Sequence, residues 1–369
     1  MGKSIKDYKN IFIKCRNIIT DFCEKFLSVK KENICNQNMD TRPCRIPFER
    51  IEIYPEGVVY TCCHDFLKDK KIAGNFDNQS FKEIWNGKVF NKIRKHLKKG
   101  DFSMCRRELC GEYSPYEGEI PPDYKKGPKE IKISYDRECN YKCLTCRDEI
   151  VINSPERMKL LENIYLPKIL DAVRNAEVIT IAGSGDPFFS RHSRHLLKEI
   201  IKIRPNIKIR INSNGYFLTE EVLTELGIQN NILGVSVSLD STKRETYEKI
   251  LRTDAFDRVI KNLEVMSEWK KQGKIEWIIL NFVVHIINYR EMPEFVKLAQ
   301  RLDAIAFFST YRPWDSCELY KKYDEMAVFE PKHEHYKEFA EMMHNPVFQD
   351  KQHCVLEGKL QEIALQNSD

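Results

Sequence analysis

The chain has 369 residues, of which 42% are hydrophobic and 31% charged, an ordinary balance for a globular protein with a sizeable core. Its 60 basic and 55 acidic residues leave a net charge of only +5, which argues against a nucleic-acid partner. No apolar run reaches the ~18 residues of a membrane span, and the N-terminal residues lack the apolar core of a signal peptide. We therefore expect a cytoplasmic protein with no membrane partner.

An amphipathic helix is predicted over residues 5–29, where apolar side chains recur at helical spacing. Cys15 and Cys23 lie along this helix, and we expect them to pack as small apolar side chains. Residues 30–43 are polar and are predicted to form a loop. The first predicted segment of the chain is thus a helix and loop over residues 1–40.

A small α+β domain is predicted next, over residues 41–116. Two short strands around Pro55–Gly57 indicate a hairpin, and a helix is predicted at residues 80–98. Residues 117–129 contain three prolines and are predicted to be a linker.

From residue 130 the pattern changes to alternating strands and helices, which is typical of an α/β fold with a parallel sheet. We expect an incomplete (β/α)6 TIM-like barrel over residues 130–315, followed by a C-terminal helical extension over residues 316–369. In such folds the chemistry takes place at the carboxyl ends of the strands. The predicted strands are 131–135, 178–182, 207–211, 233–239, 275–284 and 304–308, and the predicted helices are 155–174, 191–203, 219–227, 243–271 (broken) and 290–301.

The thirteen cysteines are an informative count. A disulfide framework is typical of short exported chains, and this chain is neither short nor provided with an export signal. Reduced thiols in a cytoplasm bind metals, act in catalysis or pack in the core. The positions of the cysteines decide between these uses.

Three cysteines follow the first barrel strand: Cys139, Cys143 and Cys146, separated by three and by two residues. Three thiolates so close together can bind three irons of a 4Fe–4S cluster and leave the fourth iron open to a small ligand. A structural zinc site would need a fourth protein ligand, and the next ten residues contain neither Cys nor His. The spacing therefore predicts a cluster-binding loop.

This Cys-x3-Cys-x2-Cys loop at the mouth of a barrel resembles the radical S-adenosylmethionine (SAM) superfamily. The resemblance implies that SAM binds the open iron and is cleaved reductively, and that the resulting 5′-deoxyadenosyl radical abstracts hydrogen from the substrate. It also implies a reducing partner such as flavodoxin or ferredoxin.

Further short motifs end the next strands and strengthen the resemblance. The turn at residues 183–187 takes the place of the superfamily's Gly-Gly-Glu motif, which binds the amino group of SAM, although Asp186 stands where a Glu is usual. The segment at residues 212–215 resembles the Thr-Asn-Gly position. By resemblance to anaerobic sulfatase-maturating enzymes, Ser238 and Arg252 bind the SAM carboxylate, and Arg can do so at two points. The candidate SAM-binding residues are Gly183, Ser184, Gly185, Asp186, Asn212, Asn214, Ser238, Asp240 and Arg252.

A second cysteine set precedes the barrel, as Cys-x12-Gly-x4-Cys followed by Cys-x4-Cys. It resembles the opening of a SPASM or Twitch auxiliary-cluster domain, which follows the barrel in most relatives. Four cysteines suffice for one second 4Fe–4S cluster, so the smaller Twitch form fits better than a full SPASM pair. The alternative is a zinc-ribbon-like site. Cys63 is expected to pack, and Cys354 is a remote candidate for completing the set. The candidate ligands are Cys44, Cys62, Cys105 and Cys110.

The candidate catalytic residues follow the sixth strand. Tyr311 and Arg312 can handle protons or hold an anionic substrate, and Cys317 can quench a radical. The alternative is that these loop residues only cap the barrel.

The predicted reaction is the oxidation or epimerisation of a polar, carbohydrate-like small molecule, because one extra cluster resembles a Twitch-bearing dehydrogenase of the superfamily. One alternative is a maturase that modifies a ribosomally made peptide. Another is a scaffold that only carries clusters, which would have no use for Arg252 or for the turn at residues 183–187.

Overall fold

A computed structural model gives the fold, and it describes residues 40–63, 66–69, 71–107, 110, 112–181, 184–312 and 321–366. The predicted helix over residues 5–29, with Cys15 and Cys23, lies outside these ranges. The chain divides into two compact units, Met1–Ile131 and Lys132–Asp369. Across the described ranges, no helix combines the length and the hydropathy that crossing a membrane requires.

The first unit contains a small antiparallel sheet. Strand β1 (Arg50–Ile53) pairs with β2 (Val58–Tyr60), and β2 pairs with β3 (Gly74–Asn75). The predicted hairpin at Pro55–Gly57 is present as a 3-10 turn in which Glu56 and Gly57 both have positive φ. A short helix, α1 (Ile46–Glu49), leads into β1.

The single helix predicted at residues 80–98 is two helices, α2 (Phe81–Trp85) and α3 (Lys88–Leu97). The break falls at Gly87, whose backbone is extended. A Cβ at this position would lie 2.7 Å from the carbonyl oxygen of Glu83, so the close turn between the helices requires glycine.

The second unit alternates strands with helices, and its pairings from β5 to β10 are parallel. Neighbouring strands follow chain order, with β4 beside β5. The predicted fold class is confirmed: an incomplete, open α/β barrel of parallel strands, preceded in the chain by a small α+β unit. The strands are β4 (Glu130–Ile133), β5 (Val178–Ile181), β6 (Lys208–Ser213), β7 (Ile232–Ser238), β8 (Trp277–Val284), β9 (Ile305–Thr310) and β10 (Cys354–Leu356).

The helices of the second unit lie close to the bounds predicted from the sequence where they connect β4 to β9, and further helices flank β10. They are α4 (Pro155–Leu160), α5 (Leu166–Val173), α6 (Arg191–Ile203), α7 (Glu220–Glu225), α8 (Arg244–Leu251), α9 (Phe256–Lys271), α10 (Met292–Arg301), α11 (Tyr323–Met326), α12 (Tyr336–Met342) and α13 (Lys359–Leu365).

Two details depart from the predicted pattern. The helix predicted at residues 155–174 contains a π-helical turn at Leu161–Tyr165. Pro167 follows it and lacks the N–H that an α-helical bond would use, so the wider turn accommodates the proline. The C-terminal stretch, predicted as helical, also contains the strand β10, which pairs with β9. Three residues are too few to produce a visible alternation of apolar side chains.

The core of the sheet is aromatic near its β8 and β9 strands. The ring of Phe282 lies 4.8 Å from that of Phe295 and 5.3 Å from that of Phe308, centroid to centroid. On the neighbouring pair, a Cβ on Gly234 would lie 2.2 Å from the Trp277 ring. Glycine at this position therefore lets the indole lie across β7.

Candidate functional site

The three predicted cluster ligands lie on the loop that follows β4. Cys139 is buried, and Cys143 and Cys146 are half-buried. The backbone N–H of Cys139 donates to Val151 at 3.0 Å. The N–H groups of Cys146 and Arg147 donate to the carbonyl of Cys143 at 2.9 and 3.0 Å, which closes a turn between the second and third thiols.

Burial raises the pKa of Cys139 to about 11 and raises that of Cys143 well above its usual value. Only thiolates bind iron, so an incoming cluster must displace these protons. Within the described ranges, no three Cys, His, Asp or Glu side chains converge as the ligands of one metal ion do. In a 4Fe–4S cluster each cysteine binds a different iron, so three separate thiols on one loop fit that group.

Arg147 is a residue of this loop that the sequence analysis missed. Its Nε and Nη2 each lie 3.4 Å from Cys146 Sγ, and its Nη1 donates to the carbonyl of Arg137 at 2.8 Å. Its Nη2 also donates to the carbonyl of Ser184. This buried guanidinium therefore joins the end of the loop to the turn after β5. Its only signal in the sequence is its place next to the third cysteine.

Helix α8 supports the loop from another side. The N–H of Leu144 donates to the carbonyl of Ile250 at 2.7 Å, and the hydroxyls of Tyr141 and Tyr247 lie 3.2 Å apart. These contacts place the C-terminal end of α8 beside the cysteines.

Arg252 follows α8 in the left-handed conformation, with φ of 54°. This conformation is uncommon for a residue with a side chain and costs free energy. The guanidinium reaches the cysteine loop, where Nη1 lies 3.5 Å from Oδ1 of Asp148. Asp148 stands two residues after Cys146, so the predicted SAM-carboxylate residue lies beside the predicted cluster loop.

The turn after β5 is packed against the residues that precede Cys139. A Cβ on Gly185 would lie 2.3 Å from the carbonyl oxygen of Glu138, so this contact of backbone with backbone requires glycine. The N–H of Asp186 donates to the same carbonyl at 2.9 Å. Gly183 lies outside the described residues.

The carboxylate of Asp186 is buried and accepts four hydrogen bonds. Oδ1 accepts from the N–H groups of Phe188 and Phe189 at 3.0 and 3.1 Å. Oδ2 accepts from Ser213 Oγ at 2.7 Å and from the N–H of Asn214 at 2.9 Å. These partners tie the end of β5 to the end of β6, so they favour a positioning role over the predicted contact with an ammonium group.

The other candidate SAM residues lie at the ends of β6 and β7. Asn214 Nδ2 donates to Asn140 Oδ1 at 2.9 Å and lies 3.9 Å from Cys139 Sγ. Asn212 pairs in register with Ser236 of β7. Ser238 is exposed at the last position of β7.

Asp240 is buried and has a left-handed φ of 58°. Its Oδ1 accepts from the N–H of Val283 at 2.6 Å, and burial raises its pKa to about 7. The carboxyl therefore joins the loop after β7 to β8.

The predicted catalytic residues differ in burial and in their contacts. Tyr311 is buried, its N–H donates to Val284 at 3.2 Å, and its ring stacks on Tyr323 at 6.1 Å. Arg312 is exposed and forms an ion pair with Glu357 at 2.7 Å. Cys317 lies outside the described residues.

His285 is a second residue that the sequence analysis missed. It directly follows β8, and its ring meets that of Tyr311 edge-on at 6.4 Å. Its Nδ1 accepts from the N–H of Ile287 at 3.2 Å, which places the proton on Nε2. That Nε2 is buried without a hydrogen-bond partner among the described residues, and burial lowers the ring's pKa to about 3. The sequence could have indicated this residue, because a histidine at the carboxyl end of a barrel strand is a candidate for the active site.

In the first unit, the four predicted auxiliary ligands line one cavity. All four are free and half-buried. Burial raises the pKa of Cys105 to about 11 and that of Cys110 to about 12. Cys63 does not line this cavity, and Cys354 lies in β10 of the second unit. Iron–sulfur clusters are held by cysteine thiolates, so four cysteines around one cavity fit that group.

Two family models match the chain in the order that the cysteine motifs predicted. Residues 44–111 match SPASM, an iron-sulfur cluster-binding domain, and residues 133–299 match the radical SAM superfamily.

Curated relatives match part of the chain. The molybdenum cofactor biosynthesis protein moc-5 of Caenorhabditis elegans is 26% identical over 192 residues, which cover 51% of this chain and 31% of that protein. The GTP 3′,8-cyclase of Synechocystis sp. is 25% identical over 222 residues, which cover 59% of this chain and 64% of that enzyme. The chain thus spans about a third to two thirds of the length of these relatives. The crystal structure of methylornithine synthase (PylB) aligns with a TM-score of 0.38 and 14% identity, covering 64% of this chain and 68% of that chain.

Proposed function

Because residues 133–299 belong to the radical SAM superfamily and residues 44–111 to the SPASM iron–sulfur domain, we propose that this radical SAM enzyme acts on a polar small molecule. Its cofactors are a 4Fe–4S cluster with SAM and further iron–sulfur cluster content in the SPASM domain. The observation that carries the proposal is the loop after β4, where three cysteines lie close together in sequence and the third contacts the guanidinium of Arg147. The proposed reaction is oxidation or epimerisation, and the proposed electron donor is a flavodoxin or ferredoxin.

The comparisons support a small molecule over a peptide. A GTP 3′,8-cyclase acts, by its name, on a nucleotide, and such enzymes recur among the relatives. A nucleotide shares polar, sugar-bearing chemistry with the substrate class predicted from the sequence. The peptide maturase remains the second candidate, and the experiment below separates the two.

We assign the cluster to Cys139, Cys143 and Cys146. Bound there, the cluster and SAM supply a 5′-deoxyadenosyl radical that abstracts hydrogen from an unactivated carbon. The residues of the chain have other tasks. Arg147 holds the third thiolate by two N–H contacts, and such donors stabilise the charged form of sulfur.

For SAM itself, we assign the carboxylate to Arg252, which follows α8 and contacts Asp148 of the cysteine loop, and to Ser238, which is exposed at the end of β7. Asp186 is assigned to positioning, since its four hydrogen bonds fix the ends of β5 and β6. Ser184, Gly185 and the Asn-Ser-Asn segment at residues 212–214, at the ends of β5 and β6, would hold the rest of SAM.

We place the substrate at the ends of β8 and β9. His285 remains neutral under physiological conditions because its pKa is lowered to about 3, so it can donate from Nε2 without carrying charge. Tyr311 stands beside it. An anionic substrate would have to compete with Glu357 for Arg312.

The proposal is tested with anaerobically reconstituted protein, SAM and dithionite. We expect slow release of 5′-deoxyadenosine and methionine without substrate, and faster release when a panel of nucleotides and sugar phosphates contains the substrate. Cluster-loaded protein that forms no 5′-deoxyadenosine would contradict the radical chemistry. Stimulation by peptide fractions alone would favour the maturase.

Replacing Arg252 with alanine is expected to weaken SAM binding by on the order of 10- to 100-fold, the scale of a charge-assisted hydrogen bond moderated by partial exposure. Equilibrium dialysis of the cluster-loaded protein measures the change. Arg244→Ala is the matched control, because Arg244 begins the same helix and pairs with Asp257 at the surface. Equal SAM affinity in the two variants would mean that the carboxylate lies elsewhere.

A further inference from the structure

The cavity of the first unit contains a basic side chain among its cysteines. Arg107 lines the cavity together with Cys44, Cys62, Cys105 and Cys110. Its Nε is buried and has no hydrogen-bond partner within the described part of the chain. A buried N–H left without an acceptor costs about 1–3 kcal/mol, so this position favours an acceptor that arrives with a ligand.

Two aromatic rings hold the guanidinium in place. The Arg107 Cζ lies 3.2 Å from the ring centroid of Tyr113 and 5.4 Å from that of Phe102. Both rings line the same cavity. The hydroxyl of Tyr113 donates to the carbonyl of Arg42 at 3.0 Å, which fixes the ring on which the guanidinium rests. Arginine is suited to this arrangement, since its planar group stacks on rings while its edge still donates.

The charge of Arg107 is not neutralised by the acidic residue of the same lining. The carboxylate of Glu112 forms an ion pair with Arg50 at 2.8 Å, and Arg50 also contacts Glu52 at 3.1 Å. Among the described residues, Arg107 has no ion pair of its own. The cavity therefore presents thiols and a positive charge together.

We propose that Arg107 donates its Nε–H to a sulfur atom of the auxiliary iron–sulfur cluster and raises the reduction potential of that cluster. Hydrogen bonds to the sulfurs and a compensating positive charge both favour the reduced cluster, which carries one more electron. In the proposed oxidation, the substrate radical loses one electron, which the cluster accepts, and one proton, which passes to water. This inference rests on the SPASM cluster of the proposed function and is independent of the identity of the substrate.

The test uses the full chain carrying Cys139, Cys143 and Cys146 as alanine, so that only the auxiliary cluster is observed. The midpoint potential is measured by an anaerobic redox titration followed by electron paramagnetic resonance. In this background we expect Arg107→Met to lower the equilibrium constant for reduction about tenfold, or 59 mV for a one-electron couple. Arg107→Lys keeps the charge without the planar donor, and we expect an intermediate shift.

Arg106→Met is the matched control, because Arg106 is the adjacent cation but does not line the cavity. We expect it to leave the potential unchanged. An Arg107→Met variant with full iron content and the parental potential would overturn the proposal, as would equal shifts at both arginines. If Arg107→Met does not retain iron, Arg107→Lys decides: a lowered potential supports the donor role, and the parental potential overturns it. A parental protein without iron in the first unit would instead overturn the cluster on which the inference rests.

Discussion

Replacing Cys139, Cys143 and Cys146 together with alanine is expected to abolish SAM cleavage and to remove about half of the bound iron. Two 4Fe–4S clusters amount to about eight irons per chain, and the variant retains about four in the first unit. The loop after β4 supplies all three proposed ligands, so the triple variant leaves it no cysteine that could bind a cluster. Iron per chain and the yield of 5′-deoxyadenosine measure the two effects.

Cys354→Ala is the control for this experiment, since Cys354 is a buried cysteine of β10 and does not line the cavity of the first unit. We expect it to retain full iron and full SAM cleavage. A triple variant with undiminished iron would show that the loop does not hold a cluster. A triple variant whose remaining metal is zinc would overturn the auxiliary iron cluster and leave the radical chemistry standing.

Replacing Asp186 with alanine is expected to lower the free energy of unfolding by about 3–5 kcal/mol. Four donors lose their acceptor at once, and each buried unpaired donor costs about 1–3 kcal/mol before the structure relaxes. The effect is large because the carboxylate accepts hydrogen bonds both from the turn after β5 and from the end of β6. Urea denaturation of the apoprotein, followed by tryptophan fluorescence, measures it.

Asp186→Asn provides a graded comparison, because it keeps one acceptor oxygen and the shape of the side chain. We expect it to recover part of the lost stability. Asp257→Ala, at a largely exposed carboxylate, is expected to stay within about 0.5 kcal/mol of wild type. If Asp186→Ala unfolds like wild type but loses SAM affinity, the contact with the SAM ammonium is the better account of this residue.

Much of the fold could be predicted because its signals are local. The strands and helices of the second unit follow apolar periodicity, and the motifs fall where those strands end. The turn at Gly185, for example, combines a short glycine-bearing sequence with a backbone contact that only glycine allows. The thiol spacing of the loop after β4 is likewise a property of a few consecutive residues.

What could not be predicted depends on contacts between residues distant in the chain. Nothing near Arg147 in sequence indicates that its guanidinium reaches Ser184 as well as Cys146. His285 Nε2 is buried and has no hydrogen-bond partner in the part of the chain that the structure describes, a property that no local sequence pattern records. For Asp186, a resemblance suggested a ligand contact, whereas its hydrogen bonds depend on how β5 and β6 end side by side.

Because the first unit precedes the second in the chain, it is also synthesised first. Domains tend to fold as units during synthesis, the N-terminal one first, at about 5–20 residues per second. At that rate the ribosome needs roughly 10 to 50 s to add the second unit, Lys132–Asp369, after the first. By the start of this interval all four cysteines of the first-unit cavity have been synthesised, whereas the later strands and helices that support the loop after β4 are added during it. The residues proposed for the auxiliary cluster are thus synthesised before the strand ends that we assign to SAM.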